Sequence, residues 1–278
     1  MLTTHIDKAV SHVEKLLAGY TIDNVYKALV YSSIYKIIKK YDMATTTLKP
    51  LEEKIPKPLL FKAKKDLSPA FESIILELRS ILNSKKPILV ENASITIISR
   101  EITKIFRRID YVMVYDCMSL NEFILISAAS RLQGFKTITP NLIFVNPIGL
   151  TRYVTQQLPG LDYRSVLREY ARLLAERLRA KGYHKSAYID FKVHEYGSMG
   201  IEEFLQRINI NKILNEIINL ASNGIVLITA DHGYDIIYDP DSKYVYVLHG
   251  FKRQPKGNHV PLLLFSRFSL FLTVLPRR

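Results

Sequence analysis

The sequence is poor in cysteine, because Cys117 is the only one among its 278 residues. An intramolecular disulfide is therefore impossible, which fits a reducing compartment such as the cytoplasm. The first residues lack the basic stretch followed by an apolar one that begins a signal peptide. The most apolar stretch, residues 261–276, is too short to span a bilayer and contains Arg267. We therefore expect a cytoplasmic protein that does not enter the membrane.

Acidic residues are scarce relative to basic ones. The 26 Asp and Glu residues against 39 Lys and Arg residues give a formal net charge of +13. Such an excess favours anionic partners such as nucleic acid, nucleotides or phosphate esters, although a generally basic proteome is an alternative explanation. The length and the 48% hydrophobic content indicate a globular protein of one or two domains.

The hydrophobic pattern changes period along the chain. Residues 1–86 show helical spacing and carry basic clusters, which either form a solvated helix face or contact phosphates or a protein partner. Residues 87–278 alternate short apolar strands with helices. This pattern predicts an α/β fold with a mostly parallel sheet and helices on both faces, preceded by an N-terminal helical region. The basic clusters of the first region are Lys36, Lys39, Lys40, Lys62, Lys64 and Lys65.

The stretch 225–233 runs from four apolar residues through Thr229 and Ala230 into Asp231, His232 and Gly233. A short, branched apolar run between glycines is typical of a buried strand of a parallel sheet. Ligands in open α/β sheets bind at the carboxyl ends of such strands, and a carboxylate beside an imidazole suits a zinc-like cation. The alternative is that the Asp-His-Gly sequence is simply a turn.

Two further acids, Asp116 and Asp190, also follow apolar stretches that we predict as strands. Three carboxylates at one edge of a sheet repel one another unless a cation lies between them. His194 follows Asp190 by four residues, so both can face one ion across a tight turn or one helical turn. His259 precedes another predicted strand. The three acids and these histidines therefore predict a metal site.

The order of these motifs resembles the alkaline phosphatase superfamily, which includes nucleotide pyrophosphatase/phosphodiesterases, cofactor-independent phosphoglycerate mutases and sulfatases. Residues 147–153, Pro-Ile-Gly-Leu-Thr-Arg-Tyr, resemble the Pro-Thr-x-Thr-Arg-Tyr stretch of its PglZ-type domains, which occur in phage-defence systems and some response regulators. The resemblance covers roughly residues 88–278. The motifs that carry it are Asp116, Thr151, Asp190-x-x-x-His194, Asp231-His232-Gly and His259-x-Pro.

The chain also departs from this pattern. The family often has glycine shortly after its first Asp, where this chain has Cys117, Met118 and Ser119. Ile148 and Gly149 stand where the family's first threonine is expected. We interpret Cys117 as a packed core residue. Ser119 is either the N-cap of a helix or an alternative nucleophile.

The resemblance implies two divalent metal ions, zinc or manganese, in a domain that spans residues 87–278. One ion would be held by Asp116, Thr151, Asp231 and His232, and the other by Asp190, His194 and His259. Thr151 would be the metal-activated nucleophile that forms a phosphothreonine intermediate. Candidate phosphate contacts are Arg152, His249 and Lys252.

These expectations combine into a metal-dependent phosphohydrolase. We predict a phosphodiesterase acting on nucleotides or single-stranded nucleic acid, because the short connections between the motifs leave no room for a cap domain over the site. One alternative is a phosphomonoesterase or related hydrolase of a small substrate. Another is a non-catalytic assembly subunit that retains the fold and binds a protein partner through the N-terminal helices.

Overall fold

The structure is a computed structural model, and it describes residues 2–40, 48–83, 89–90, 95–140, 142–158, 160, 162, 165–250, 258–263 and 265–277. The predicted phosphate contact Lys252 lies outside these residues, and so does the predicted boundary between residues 86 and 87. Within the described ranges, no helix combines the length and the apolarity needed to cross a bilayer.

The N-terminal region is helical, as predicted. Its apolar residues recur at intervals of three and four, so that each helix buries one stripe, such as Ile6, Val10 and Val13 on the first helix. A π-helical segment, Ala63–Leu67, joins the fourth helix to the fifth. The helices are α1 (Leu2–Leu17), α2 (Ile22–Lys40), α3 (Lys49–Glu53), α4 (Lys57–Lys62) and α5 (Ser68–Asn83).

The rest of the chain alternates strands and helices up to the sixth strand and is then mostly β-structure. The elements are β1 (Leu89–Val90), α6 (Ile95–Ile105), β2 (Tyr111–Tyr115), α7 (Leu120–Leu132), β3 (Lys136–Ile138), β4 (Ile143–Val145), α8 (Thr151–Gln157), α9 (Val166–Leu178), β5 (Gly182–Ser186), α10 (Tyr188–Tyr196), α11 (Ile201–Arg207), α12 (Ile210–Ala221), β6 (Val226–Ala230), β7 (Asp235–Asp239), β8 (Tyr244–Leu248), β9 (Val260–Leu263), β10 (Phe268–Leu270) and β11 (Leu272–Leu275).

The central sheet has five strands in the order β3-β11-β6-β2-β5. Strands β5, β2 and β6 are parallel to one another, and β11 is antiparallel to both of its neighbours. Two further sheets have three strands each, in the orders β1-β4-β10 and β8-β7-β9. The predicted α/β fold with a mostly parallel sheet is therefore confirmed.

The central sheet is buried on both faces. Along β2, Met113 and Tyr115 join one apolar cluster, whereas Val112 and Val114 join another. This alternation follows from the two-residue period of a strand. The N-terminal helices, α7 and α12 cover one face, and α6, α8 and α9 cover the other.

The N-terminal helices and the strand-rich region are packed together. Glu122 on α7 is fully buried and accepts a hydrogen bond from the Tyr26 hydroxyl of α2. It also accepts hydrogen bonds from the Tyr234 hydroxyl at 2.6 Å and from Ser119 Oγ at 2.6 Å. Tyr234 follows the Asp-His-Gly motif by one residue, so this network connects α2 to the loop that carries His232.

Two apolar segments are helical and not extended. Residues 95–98 begin α6, because Ile98 and Ile102 lie one turn apart and share one buried face. The stretch before Asp190, which the sequence predicts as a strand, is also helical. Residues 188–190 begin α10, since β5 already ends at Ser186. Asp190 and His194 are therefore separated by one helical turn.

Candidate metal centre

Asp116 and Asp231 lie side by side at the carboxyl edge of the central sheet. The register of β2 and β6 pairs Tyr115 with Ala230, so the next residue of each strand is a carboxylate. Backbone hydrogen bonds fix these ends, because Asp116 N donates to Ser186 O at 2.8 Å and Asp231 N to Tyr115 O at 3.4 Å. The predicted convergence of these two acids follows directly from this pairing.

His232 is held between the two carboxylates. Its Nδ1 lies 2.9 Å from Gly233 O, so Nε2 is the ring nitrogen that faces the site. That Nε2 lies 3.3 Å from Asp116 Oδ1 and 3.6 Å from Asp231 Oδ2. The side chains of Asp231 and His232 are fully buried, so these charges interact without screening by water.

Thr151 is the first residue of α8, and its hydroxyl reaches the same point. Oγ1 lies 3.3 Å from His232 Nε2 and 3.5 Å from Asp116 Oδ1. The structure therefore brings together Asp116, Thr151, Asp231 and His232, which are the four residues that the resemblance assigns to the first ion.

Asn146, which sequence reasoning missed, connects the turn before Thr151, here called the threonine loop, to the backbone of Asp231. Its side-chain amide donates to Asp231 O at 3.0 Å and to Leu150 O at 2.9 Å, and its carbonyl accepts from Gly149 N at 2.9 Å. Gly149 has a φ of 61°, and an added Cβ would lie 2.5 Å from Ser266 Oγ. The tight turn before Thr151 thus requires glycine where the family pattern predicts threonine.

The second group of donors comes from α10 and from the end of β8. His194 Nε2 lies 3.4 Å from Asp190 Oδ1 within one helical turn. His249, which follows β8, places its Nε2 3.0 Å from Asp190 Oδ1 and 3.0 Å from His194 Nε2. Its ring also lies against His232, with centroids 4.8 Å apart. His249, predicted as a phosphate contact, therefore lies among the metal-ligand candidates.

The structure places His259 elsewhere, with Tyr246 and Asp239. Its Nδ1 lies 2.8 Å from the Tyr246 hydroxyl, and its Nε2 lies 3.7 Å from Asp239 Oδ1. Strand pairing explains the difference, because β9 begins opposite Tyr238 whereas β8 ends opposite Asp235. The two ends of β7 are roughly 13 Å apart at strand spacing, and only the Asp235 end adjoins His232. His249 thus occupies the position in which the sequence predicted His259.

Two other predicted residues have clear positions. Arg152 is exposed on α8 next to Thr151. Ser119 directly precedes α7 as its N-cap residue and is fully buried, with its backbone N donating to Glu122 Oε2 at 2.9 Å. These contacts favour the helix-cap role of Ser119 over the alternative of a nucleophile.

Burial and charge shift the pKa values of the site. Burial, together with the nearby Asp116 charge, raises the pKa of Asp231 to about 7. Although burial opposes a charged imidazole, Asp231 and Asp116 hold the pKa of His232 well above its ordinary value. Burial lowers the pKa of His249. Burial also opposes ionisation of Asp190, yet its hydrogen bond with His249 holds that pKa below the ordinary value.

These residues fit divalent cations. Asp231 Oδ2 is buried and makes no hydrogen bond within the part of the chain that the structure describes. One donor atom each from Asp116, Asp190 and His232 lie within 4.8 Å of one another. Two donors of one tetrahedral zinc ion lie about 3.4 Å apart, and the separations of 3.0–3.6 Å given above centre on that value. Cations would offset the repulsion between the carboxylates, and the mixed oxygen and imidazole donors suit zinc.

No protein-family model and no curated protein matches the sequence. The resemblance to PglZ-type domains therefore remains a prediction, and the chemistry of the site has to be argued from its geometry.

Proposed function

We propose that the protein is a metal-dependent hydrolase that cleaves phosphodiesters with Thr151 as its nucleophile. The observation that carries this proposal is the position of Thr151 Oγ1, between His232 Nε2 at 3.3 Å and Asp116 Oδ1 at 3.5 Å. A hydroxyl needs activation to attack at neutral pH. The order of the motifs, which resembles that of PglZ-type domains, points to the same chemistry.

When bound, two divalent ions would lower the pKa of the Thr151 hydroxyl and would stabilise the negative charge on the phosphoryl oxygens. Thr151 Oγ1 forms a bond to phosphorus while the bond to the leaving oxygen breaks, and its proton passes toward the Asp116 carboxylate. The proton then returns to the leaving oxygen or to solvent. In a second step, water attacks the same phosphorus, releases the phosphate product and restores the threonine hydroxyl.

The shape of the site favours a diester. Asp231 and His232 form a closed floor, whereas the His194 side chain is 66% exposed and opens the site toward solvent. A diester carries two substituents, and the second one can extend over this open side. The net charge of +13 would attract a polyanion such as single-stranded nucleic acid.

Hydrolysis of bis(4-nitrophenyl) phosphate by the full chain, reconstituted with zinc or manganese, tests the proposal. We expect turnover that disappears with chelator and falls about a thousandfold or more in Thr151→Ala. Thr155→Ala is the matched control, because Thr155 lies one turn further along α8 and donates to Thr151 O at 3.3 Å. It should retain nearly full turnover.

The comparison with 4-nitrophenyl phosphate separates the alternatives. Faster cleavage of this monoester than of the diester would instead favour a phosphomonoesterase. A metal-loaded wild-type protein that cleaves neither ester would contradict the enzymatic proposal and favour an assembly subunit.

A further inference from the structure

Cys117 lies within the proposed metal centre. It directly follows Asp116 and is fully buried. Its Sγ, a carboxylate oxygen of Asp190 and a ring nitrogen of His249 lie within 4.8 Å of one another. The mechanism proposed above assigns no role to this thiol.

The group that surrounds Cys117 has the composition of a zinc site. Thiolate, imidazole and carboxylate are the three zinc ligands used in proteins, with bond lengths of about 2.0–2.3 Å. His194 completes a set of four, since its Nε2 lies 3.0 Å from His249 Nε2 and 3.4 Å from Asp190 Oδ1. One imidazole nitrogen and one carboxylate oxygen thus lie beside the sulfur, and the His194 imidazole adjoins both of them.

His249 is the more deeply buried of the two imidazoles in this group. Its side chain is only 9% exposed, and its buried Nδ1 has no hydrogen-bond partner among the described residues. A buried imidazole with an unsatisfied nitrogen costs free energy. The Nε2 of His249 is the nitrogen that faces Asp190 and His194 and would bind the ion.

The backbone conformation at residue 117 does not account for a cysteine at this position. Its φ of 69° is in the left-handed region, which glycine adopts without the steric cost that a Cβ adds. The Cys117 thiol donates to Gly233 O at 3.4 Å, and a thiol is only a weak donor. Neither the turn nor this contact requires a thiol.

We propose that the sulfur of Cys117 is a ligand of the second divalent ion, together with Asp190, His194 and His249. On binding, the thiol loses its proton to solvent and the sulfur binds as thiolate. Thiolate is a soft donor that selects zinc over manganese or magnesium, whereas the donors of the first site are oxygens and one imidazole. This inference rests on the proposed metal centre and assigns zinc to its second site.

Cobalt(II) substitution of the full chain tests the proposal without an activity assay. Thiolate-bound cobalt(II) shows a sulfur-to-metal charge-transfer band in the near ultraviolet. Since Cys117 is the only cysteine, it is the only source of that band. We expect the band in the wild-type protein and its loss in Cys117→Ser and Cys117→Gly, with zinc affinity at one site reduced about tenfold or more.

The Cys117→Gly variant separates ligation from folding. Glycine relieves the left-handed backbone, so the metal-free variant should fold and unfold at a temperature close to that of the wild type. Selectivity for zinc over manganese should fall in both variants. Wild-type protein that binds cobalt without the charge-transfer band would overturn this inference and leave the metal centre standing. Protein that binds neither cobalt nor zinc would overturn both the inference and the proposed function.

Discussion

His249 Nε2 lies 3.0 Å from Asp190 Oδ1, and this contact joins the end of β8 to the first turn of α10. The imidazole follows the antiparallel pair β7 and β8, whereas the carboxylate belongs to a helix. Because β8 runs antiparallel to β7, its last residue returns to the end of β7 that follows His232. The second group of candidate ligands therefore contains His249 and not His259.

Two single variants, His249→Ala and His259→Ala, test this placement. We expect His249→Ala to lose one of two bound zinc ions and most of its turnover, because its nitrogen lies with Asp190 and His194. His259→Ala is the matched control and should keep both ions, since its contacts are with Tyr246 and Asp239. Metal content by mass spectrometry measures both variants. Loss of zinc in His259→Ala alone would contradict the assignment.

Asp231→Asn should separate metal binding from folding. Burial, with the Asp116 charge adding to it, opposes ionisation of the Asp231 carboxylate and outweighs its attraction to His232, so the metal-free variant should be at least as stable as the metal-free wild type. Zinc at about 100 times its Kd should stabilise the wild type by about 2.7 kcal/mol and the variant far less. Thermal unfolding with and without zinc measures this difference. An equal zinc-induced shift in both proteins would exclude Asp231 as a ligand.

The sequence predicts the first ligand group better than the second. Asp116 and Asp231 each follow an apolar strand, and parallel pairing of those strands suffices to bring them together. His249 and His259 flank the same segment, and only the register of β8 and β9 against β7 distinguishes them. The alternation of buried and exposed residues shows that a segment is a strand, but it does not show which end of the neighbouring strand each residue lies beside. Asn146 and Glu122 act through buried hydrogen bonds between distant segments, which no local pattern reveals.

The Asn146 side chain should position Thr151 without contacting substrate. In Asn146→Ala, the hydrogen bonds to Asp231 O and Leu150 O are lost, so the threonine loop should shift relative to His232. A displacement of about 1 Å costs about a hundredfold in rate, and we expect this loss in kcat with KM and zinc content nearly unchanged. Asn223→Ala is the control, because its side-chain amide is exposed and donates to Asn219 O one turn away on the same helix end. Unchanged kcat in Asn146→Ala would refute this role.

Asp110, at the opposite edge of the central sheet, should make the free energy of unfolding depend on pH in the acidic range. Burial opposes its ionisation, yet the backbone N of Ile225 at 2.9 Å, Lys181 at 3.1 Å and Arg108 at 2.8 Å hold its pKa below the ordinary value. Its stabilisation is therefore fully present above the unfolded pKa of about 3.9 and is lost as pH falls through the folded pKa.

Urea unfolding of Asp110→Asn measures this contribution. At neutral pH, the variant should be less stable by about 1–3 kcal/mol, since hydrogen bonds to a charged group are lost. The difference should shrink as the pH falls below about 4. Asp7→Asn, which removes an exposed partner of Arg131, should change stability little. A difference for Asp110→Asn that grows in acid would contradict the sign of this pKa shift.

The most direct measurement of the central claim is a calorimetric titration of the chelator-treated full chain with zinc. The account predicts saturable binding of two ions per chain, with one lost in His249→Ala and binding at the other weakened in Asp231→Asn. Absence of saturable zinc and manganese binding in a folded wild-type protein would contradict the account.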